Sequence, residues 1–124
     1  MATGAALSPR IQRNAAVIIQ LTRTAREIRN AALERASKDL VLALVECAKN
    51  VILGSVSLTP AQLTALRRHR KDIETLVKGK TSLRTRKRLL QKGGFLPLLI
   101  KPVLGLLGGI LGGGGLFGGG RRRR

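Results

Sequence analysis

Apolar positions recur at helical spacing over most of the chain, and each run opens on a residue suited to capping a helix. Ser8-Pro9 pairs a cap with a proline at the first turn. From there Ile11, Asn14, Ile18, Leu21, Ala25, Ile28 and Ala32 alternate at spacings of three and four. This predicts one helix over 9–35 with a single seam, while Arg13, Arg23, Arg26, Glu27 and Arg29 lie off it. Asn14 interrupts the seam, and a polar residue at such a position can fix the register of a helix pair. One helix packed in a small bundle accounts for the same pattern, because the alanines weaken the seam.

Ser37 caps a second run, in which Leu40, Val41, Leu44, Val45, Ala48, Val51 and Ile52 form a broad apolar face. A helix is predicted over 38–53, with Gly54 as its stop. Cys47 falls inside it and is expected to behave as a small buried hydrophobe, since no base or second cysteine lies near it in sequence.

The third start signal is LTPAQL. Thr59 is the cap, Pro60 the first helical residue, and Gln62 closes a capping box. In the predicted helix 60–78, Leu66, Ile73, Leu76 and Val77 share one side. Arg67, Arg68, Arg70, Lys71 and Lys78 fall mostly on the other. Gly79 breaks this helix, Lys80 follows, and Ser82 caps a fourth over 83–92. There Arg84, Arg86, Lys87, Arg88 and Lys92 nearly surround the helix. Like charges at close spacing repel, so this helix is expected to gain order from an anionic partner.

After Gly94 the pattern changes. Pro97, Pro102, Gly105, Gly108 and Gly109 interrupt an apolar run, and GGGGLFGGG has the composition of a flexible linker. Little fixed structure is expected from 93 onward. The fold class is therefore all-α: a small bundle of three to four short helices with a disordered, apolar and Gly-rich C-terminal tail. Three segments follow: an N-terminal helical pair (1–58), a basic helical region (59–92) and the tail with its terminal arginines (93–124).

Charge narrows the function. The 124 residues suffice for one small domain and carry 24 Lys and Arg against 6 Asp and Glu, a net +18. A compact state of that charge repels itself, which calls for an acidic partner, nucleic acid or an anionic membrane. The excess is concentrated after position 66, where Asp72 and Glu74 cannot neutralise so many cations. The single Cys47 permits no intramolecular disulfide and suits a reducing compartment. The opening residues lack the basic-then-apolar pattern of a secretory signal, so none is expected.

Enzyme chemistry is not expected. The one histidine, His69, sits among cations in RRHRK, and a general base needs a partner and a pocket that the sequence does not supply. No ligand spacing suggests a metal, no cofactor is called for, and the tail glycines are low complexity, not a phosphate-binding loop. Phe95 and Phe117 are the only aromatics, with no Trp or Tyr. Single-strand and loop readers depend on aromatic stacking. What remains is phosphate contact by Arg and Lys, which supplies affinity and position without reading sequence. About eight neutralised phosphates on duplex DNA would give a log–log salt slope of about −7.

The apolar stretch FLPLLIKPVLGLLGGIL, 95 to 111, would rise about 25 Å as a helix, short of the roughly 30 Å hydrocarbon core. Lys101 sits mid-run beside Pro102. Lying at a membrane surface is easier than spanning.

GGFLPLLIKPVLGLLGGIL after a basic run resembles the adenovirus core protein mu precursor family. The wider pattern is similar to the small basic proteins of adintoviruses and Maverick/Polinton elements. ECAKNVILGSVSLTPAQLTALRRHRKDIETLV and KTSLRTRKRLLQKGGFLPLL carry the likeness, which covers about half the chain, from 46 to 111. The resemblance implies a virion core protein that condenses double-stranded DNA, located in the virion core and host nucleus. Other capsid or core proteins are implied as partners. The expected phosphate contacts are Arg67, Arg68, Arg70, Lys71, Lys78, Lys80, Arg84, Arg86, Lys87, Arg88 and Lys92, with Arg121, Arg122, Arg123 and Arg124. The terminal arginines have no counterpart in the mu pattern.

The resemblance also implies processing by a viral cysteine protease that favours a large aliphatic, any residue, then Gly-Gly. Candidate cleavage positions are Gly94, Gly109, Gly113 and Gly119; at Gly94 the pattern departs, with Gln91 in place of an aliphatic residue. The start of the apolar stretch also resembles membrane-active frog-skin peptides of the temporin type. On that alternative the chain is a membrane-interacting or membrane-perturbing capsid component acting through the apolar tail 95–117, touching lipid through Phe95, Leu96, Leu98, Leu99, Ile100, Val103 and Leu104. A third alternative is a structural adaptor whose first two helices pair between copies.

Overall fold

Four serine and threonine side chains start helices where the sequence places them. In the computed structural model, which describes residues 8–54, 58–92 and 95–105, Ser8 accepts from the Ile11 amide and opens α1, Pro9–Arg23. Ser37 accepts from Leu40 and opens α3, Lys38–Ile52. Thr59 and Gln62 form the reciprocal capping box of α4, Pro60–Arg68. Ser82 accepts from Thr85 and opens α6, Leu83–Leu90. Each cap satisfies an amide that the helix itself leaves without a partner. Gly54 follows α3 at φ 77°, a left-handed conformation that glycine adopts without a Cβ penalty.

The described residues are all-helical, but the helices are seven, not three to four. The helix expected over 9–35 is two. Thr24 and Ala25 are both extended, with ψ 145° and 147°, and α2 spans Arg26–Glu34. Threonine hydroxyls compete for the carbonyls here: Thr22 donates to Ile19 at 2.7 Å and Thr24 to Gln20 at 2.6 Å. The break rotates the buried face. Ile28 is 64 % exposed, and Arg29 and Leu33 point inward instead. Arg29 donates to the Thr24 carbonyl at 3.3 Å.

The helix expected over 60–78 is also two, broken at His69, with α5 spanning Arg70–Val77. No proline or glycine marks this break. The imidazole of His69 packs edge-on against Phe95, a residue far along the chain.

The largest correction concerns the tail. Phe95–Ile100 is a seventh helix, α7, followed by a 3-10 turn at Lys101–Val103. Pro97 sits in its first turn, where the missing N–H costs nothing. Phe95, Leu96, Leu99, Ile100 and Val103 are fully buried, while Leu98 and Leu104 pack partly buried against the same core. α7 contacts α1, α3, α4 and α6. Burying each large apolar side chain is worth roughly 1.5–3 kcal/mol, so 95–103, part of the stretch expected to lack structure, is a central part of the core. Residues 106–124 lie outside the described residues.

One core spans the three segments. The buried face of α3, from Leu40 to Val51 and including Cys47, joins Ile11 and Ile18 of α1, Leu76 of α5 and Leu90 of α6 with α7. Asn14 locks α1 on α3, donating to Asp39 at 2.9 Å and to the Arg10 carbonyl at 2.8 Å. Arg10 bridges Asp39 and Glu46 at 3.0 Å each, Arg13 adds a 3.0 Å contact to Asp39, and Ser8 donates to Glu46. The polar residue in the seam thus sets register between two helices of one chain.

Candidate nucleic-acid interface

α5 and α6 form an antiparallel hairpin that carries most of the expected phosphate contacts. Lys92 reaches Asp72 at 2.9 Å at one end. At the other, Arg86 donates from Nε to the Leu76 carbonyl at 2.9 Å and from Nη2 to the Lys78 carbonyl at 2.6 Å. These carbonyls end α5, where a helix leaves oxygens without partners and favours a cation. Arg86 is 9 % exposed. Of the expected contacts among the described residues, it is the one turned away from solvent.

The remaining cations divide into those with a partner and those without. Arg70 pairs with Glu74 at 3.1 Å, both well exposed. Lys87 Nζ donates to the Glu34 carbonyl at 2.9 Å, holding α6 against the end of α2. A lysine ammonium has three donors, so Lys87 keeps capacity for a phosphate. Arg67, Arg68, Lys71, Lys78, Lys80, Arg84 and Arg88 are exposed and make no ion pair among the described residues. Four of the six carboxylates are already paired, and Glu27 and Glu34 make no ion pair among the described residues. Asp39 and Glu46 are committed to Arg10 and Arg13, and Asp72 and Glu74 to Lys92 and Arg70. Glu34 accepts from Gln91 at 3.1 Å.

The Asp39 commitment is electrostatically strong. Hydrogen bonds from Asn14, Arg13 and Arg10, in that order of effect, hold its carboxyl down at about 2, against an ordinary 3.8. Asp39 and Glu46 raise Arg10 in return.

Cations of α4, α5 and α6 gather in two places. Arg67, Arg68, Arg70 and Lys71 surround the α4–α5 junction together with Asp72. Arg84, Lys87 and Arg88 line a groove of about 460 Å³ with Leu83, Gln91 and, from α2, Glu34. Arg84 and Arg88 stand one turn apart, so both face the same groove. Gln91 bridges the groove wall, donating to the Asn30 carbonyl at 2.9 Å as well as to Glu34. Neither α2 nor Gln91 was expected in this site. No local signal could have found them, because Glu34 and Lys87 are 53 positions apart.

Arg121, Arg122, Arg123 and Arg124, and the cleavage positions Gly94, Gly109, Gly113 and Gly119, lie outside the described residues. Of the residues expected to touch lipid, Phe95, Leu96, Leu99, Ile100 and Val103 are in the core, and Leu98 and Leu104 pack partly buried against it. Among the described residues no helix is long and apolar enough to cross a membrane. Phe95 is buried, so no aromatic ring of Phe, Tyr or Trp among the described residues is available for base stacking. Cys47 is fully buried, and burial pushes its thiol up to about 12, with Glu46 adding to the effect.

No protein-family model, curated protein or solved structure matches this chain.

Proposed function

We propose that this chain binds and condenses double-stranded DNA without reading its sequence, as a core protein of a virion that also acts in the host nucleus. One observation carries the proposal: Arg67, Arg68 and Lys71 at the α4–α5 junction, Lys78 and Lys80, and Arg84 and Arg88 on α6 are exposed and make no ion pair among the described residues. Such cations release counterions when they meet phosphates, which supplies affinity without specificity. The absence of an exposed aromatic among the described residues favours a duplex over an unstacked single strand. The virion assignment rests on the resemblance of 46–111 to the mu precursor family. Capsid or core proteins and a processing protease are partners on the same ground.

Membrane contact through Phe95, Leu96, Leu99, Ile100 and Val103 would require α7 to leave the core.

The test is duplex binding across a salt series, with two unrelated sequences. The full chain is compared with Arg84→Ala/Arg88→Ala and with Arg67→Ala/Arg68→Ala/Lys71→Ala. A truncation at 94 is not a usable probe, because it deletes α7. The expected result is equal affinity for both sequences, with a salt slope that falls by about 0.9 for each contact removed. Salt-independent binding, or a slope that neither variant changes, would sink the proposal.

A further inference from the structure

We infer that a shallow apolar groove at the junction of α3, α4 and α5 docks an acidic amphipathic polypeptide segment. Val51, Ile52, Leu58, Leu63, Leu66 and Ile73 line it, and its volume is about 410 Å³. Arg67, Arg70 and Glu74 form its rim. This volume is in the range that binds ligands.

Three features of the groove choose the occupant. The first is wetted apolar surface: Ile52 is 46 % exposed and Leu63 40 %, and the adjoining Leu53 is 76 % exposed. Single exposed apolar residues are ordinary, but a cluster marks an interaction surface. The second is charge. Arg67 and Arg70 belong both to the groove rim and to a neighbouring cluster with Arg68, Lys71 and Asp72; Arg70 is paired with Glu74 and Asp72 with Lys92, which leaves the other three cations in excess. Apolar floor and cationic edge are therefore continuous. Arg67, Arg68 and Lys71 have no carboxylate partner among the described residues. A second copy of the chain would bring another +18 against this edge, whereas an acidic segment is attracted to it. The third is depth. Val51, Leu66 and Ile73 form a buried floor, but Ile52 and Leu63 stay exposed at its edge, so an acyl chain would stay partly in water. An amphipathic helix covers such a floor with its apolar stripe and turns its own polar face outward. Its leucine-like anchors sit over Leu63 and Ile52, and its carboxylates meet Arg67, Arg68 and Lys71. The inference stands without the duplex reading. If both hold, peptide and DNA compete for the same arginines.

The experiment uses the full chain and a short labelled peptide of Leu, Ala and Glu, with leucines at i, i+3, i+4 and i+7. A scrambled peptide of identical composition, with no apolar face, controls for charge alone. Fluorescence anisotropy at near-physiological salt is expected to show the patterned peptide binding roughly tenfold tighter than the scrambled one. Leu63→Glu, at a solvent-exposed position, is expected to erase that difference with the circular dichroism spectrum unchanged. Arg67→Ala/Arg68→Ala is expected to weaken the patterned peptide several-fold. Equal binding of both peptides, no binding of either, or a Leu63→Glu variant that binds like the parent overturns the inference. So does sedimentation that shows concentration-dependent dimers abolished by Leu63→Glu, which would make the groove a self-interface. Uptake by phosphatidylglycerol vesicles that is lost in Leu63→Glu, without discrimination between the peptides, overturns it in favour of lipid.

Discussion

The imidazole of His69 meets the ring of Phe95 edge to face, with centroids 5.6 Å apart and planes inclined by 69°. This contact ties the α4–α5 break to α7, and so the cation-bearing junction to the centre of the core. Phe95→Ala removes a fully buried ring and is expected to cost about 3–5 kcal/mol in denaturant unfolding. His69→Ala removes the edge contact and is expected to cost about 1 kcal/mol. If Phe95→Ala left the unfolding midpoint unchanged, α7 would not be part of the folded core.

Arg86 makes two charge-assisted hydrogen bonds to the end of α5 and is turned away from the solvent that its neighbours face. Arg86→Ala is expected to destabilise the chain by about 1.5–3 kcal/mol. Arg86→Lys should recover only part of this, because an ammonium lacks the planar fork that spans two carbonyls. Arg88→Ala should leave stability unchanged within about 0.5 kcal/mol. Equal stability losses at 86 and 88 would contradict the assigned difference.

Acid should loosen the α1–α3 contact in a defined window. Asp39 titrates at about 2 in the folded chain against an ordinary 3.8. A depressed carboxyl pKa contributes stability above the unfolded value, and that contribution is lost as pH falls from about 4 towards 2. Urea midpoints measured from pH 6 to pH 2 should drop across this window. In Asp39→Asn the drop should be smaller and the starting stability lower. A parent chain with the same acid response as Asp39→Asn would refute the assignment.

Cys47 should be chemically silent in the folded chain. Its thiol is buried and pushed up to about 12, so almost no thiolate exists at neutral pH. Iodoacetamide labelling at pH 8 is expected to be slow in buffer and fast in urea. Because the folded value is raised above the ordinary 9.0, the thiol's contribution to stability is present below pH 9. It is lost as pH rises from about 9 towards 12. Fast labelling without denaturant would show that the α3 face is open.

The helix starts were legible because capping is local. Ser8, Ser37, Thr59 and Ser82 each bond an amide three positions on, so a few residues specify each start. The all-α class followed from the same signals and from the period of Ile11, Ile18 and Leu21, or of Leu40, Leu44 and Val51. The excess of cations after position 66 was likewise legible, since charge is a sum over residues. Tertiary structure decided which cations remain free. Arg84, Arg86 and Arg88 look alike in sequence, yet only Arg86 meets the open end of α5, because the hairpin brings Leu76 and Lys78 to it. It also decided the breaks at Thr24 and His69, which no glycine or proline announces, and the fate of 95–103. An apolar run has the same composition whether it faces lipid, water or a core. The contacts of Phe95 with His69 and of α7 with α1 and α3 span most of the chain, and burial against such distant partners leaves no local signature.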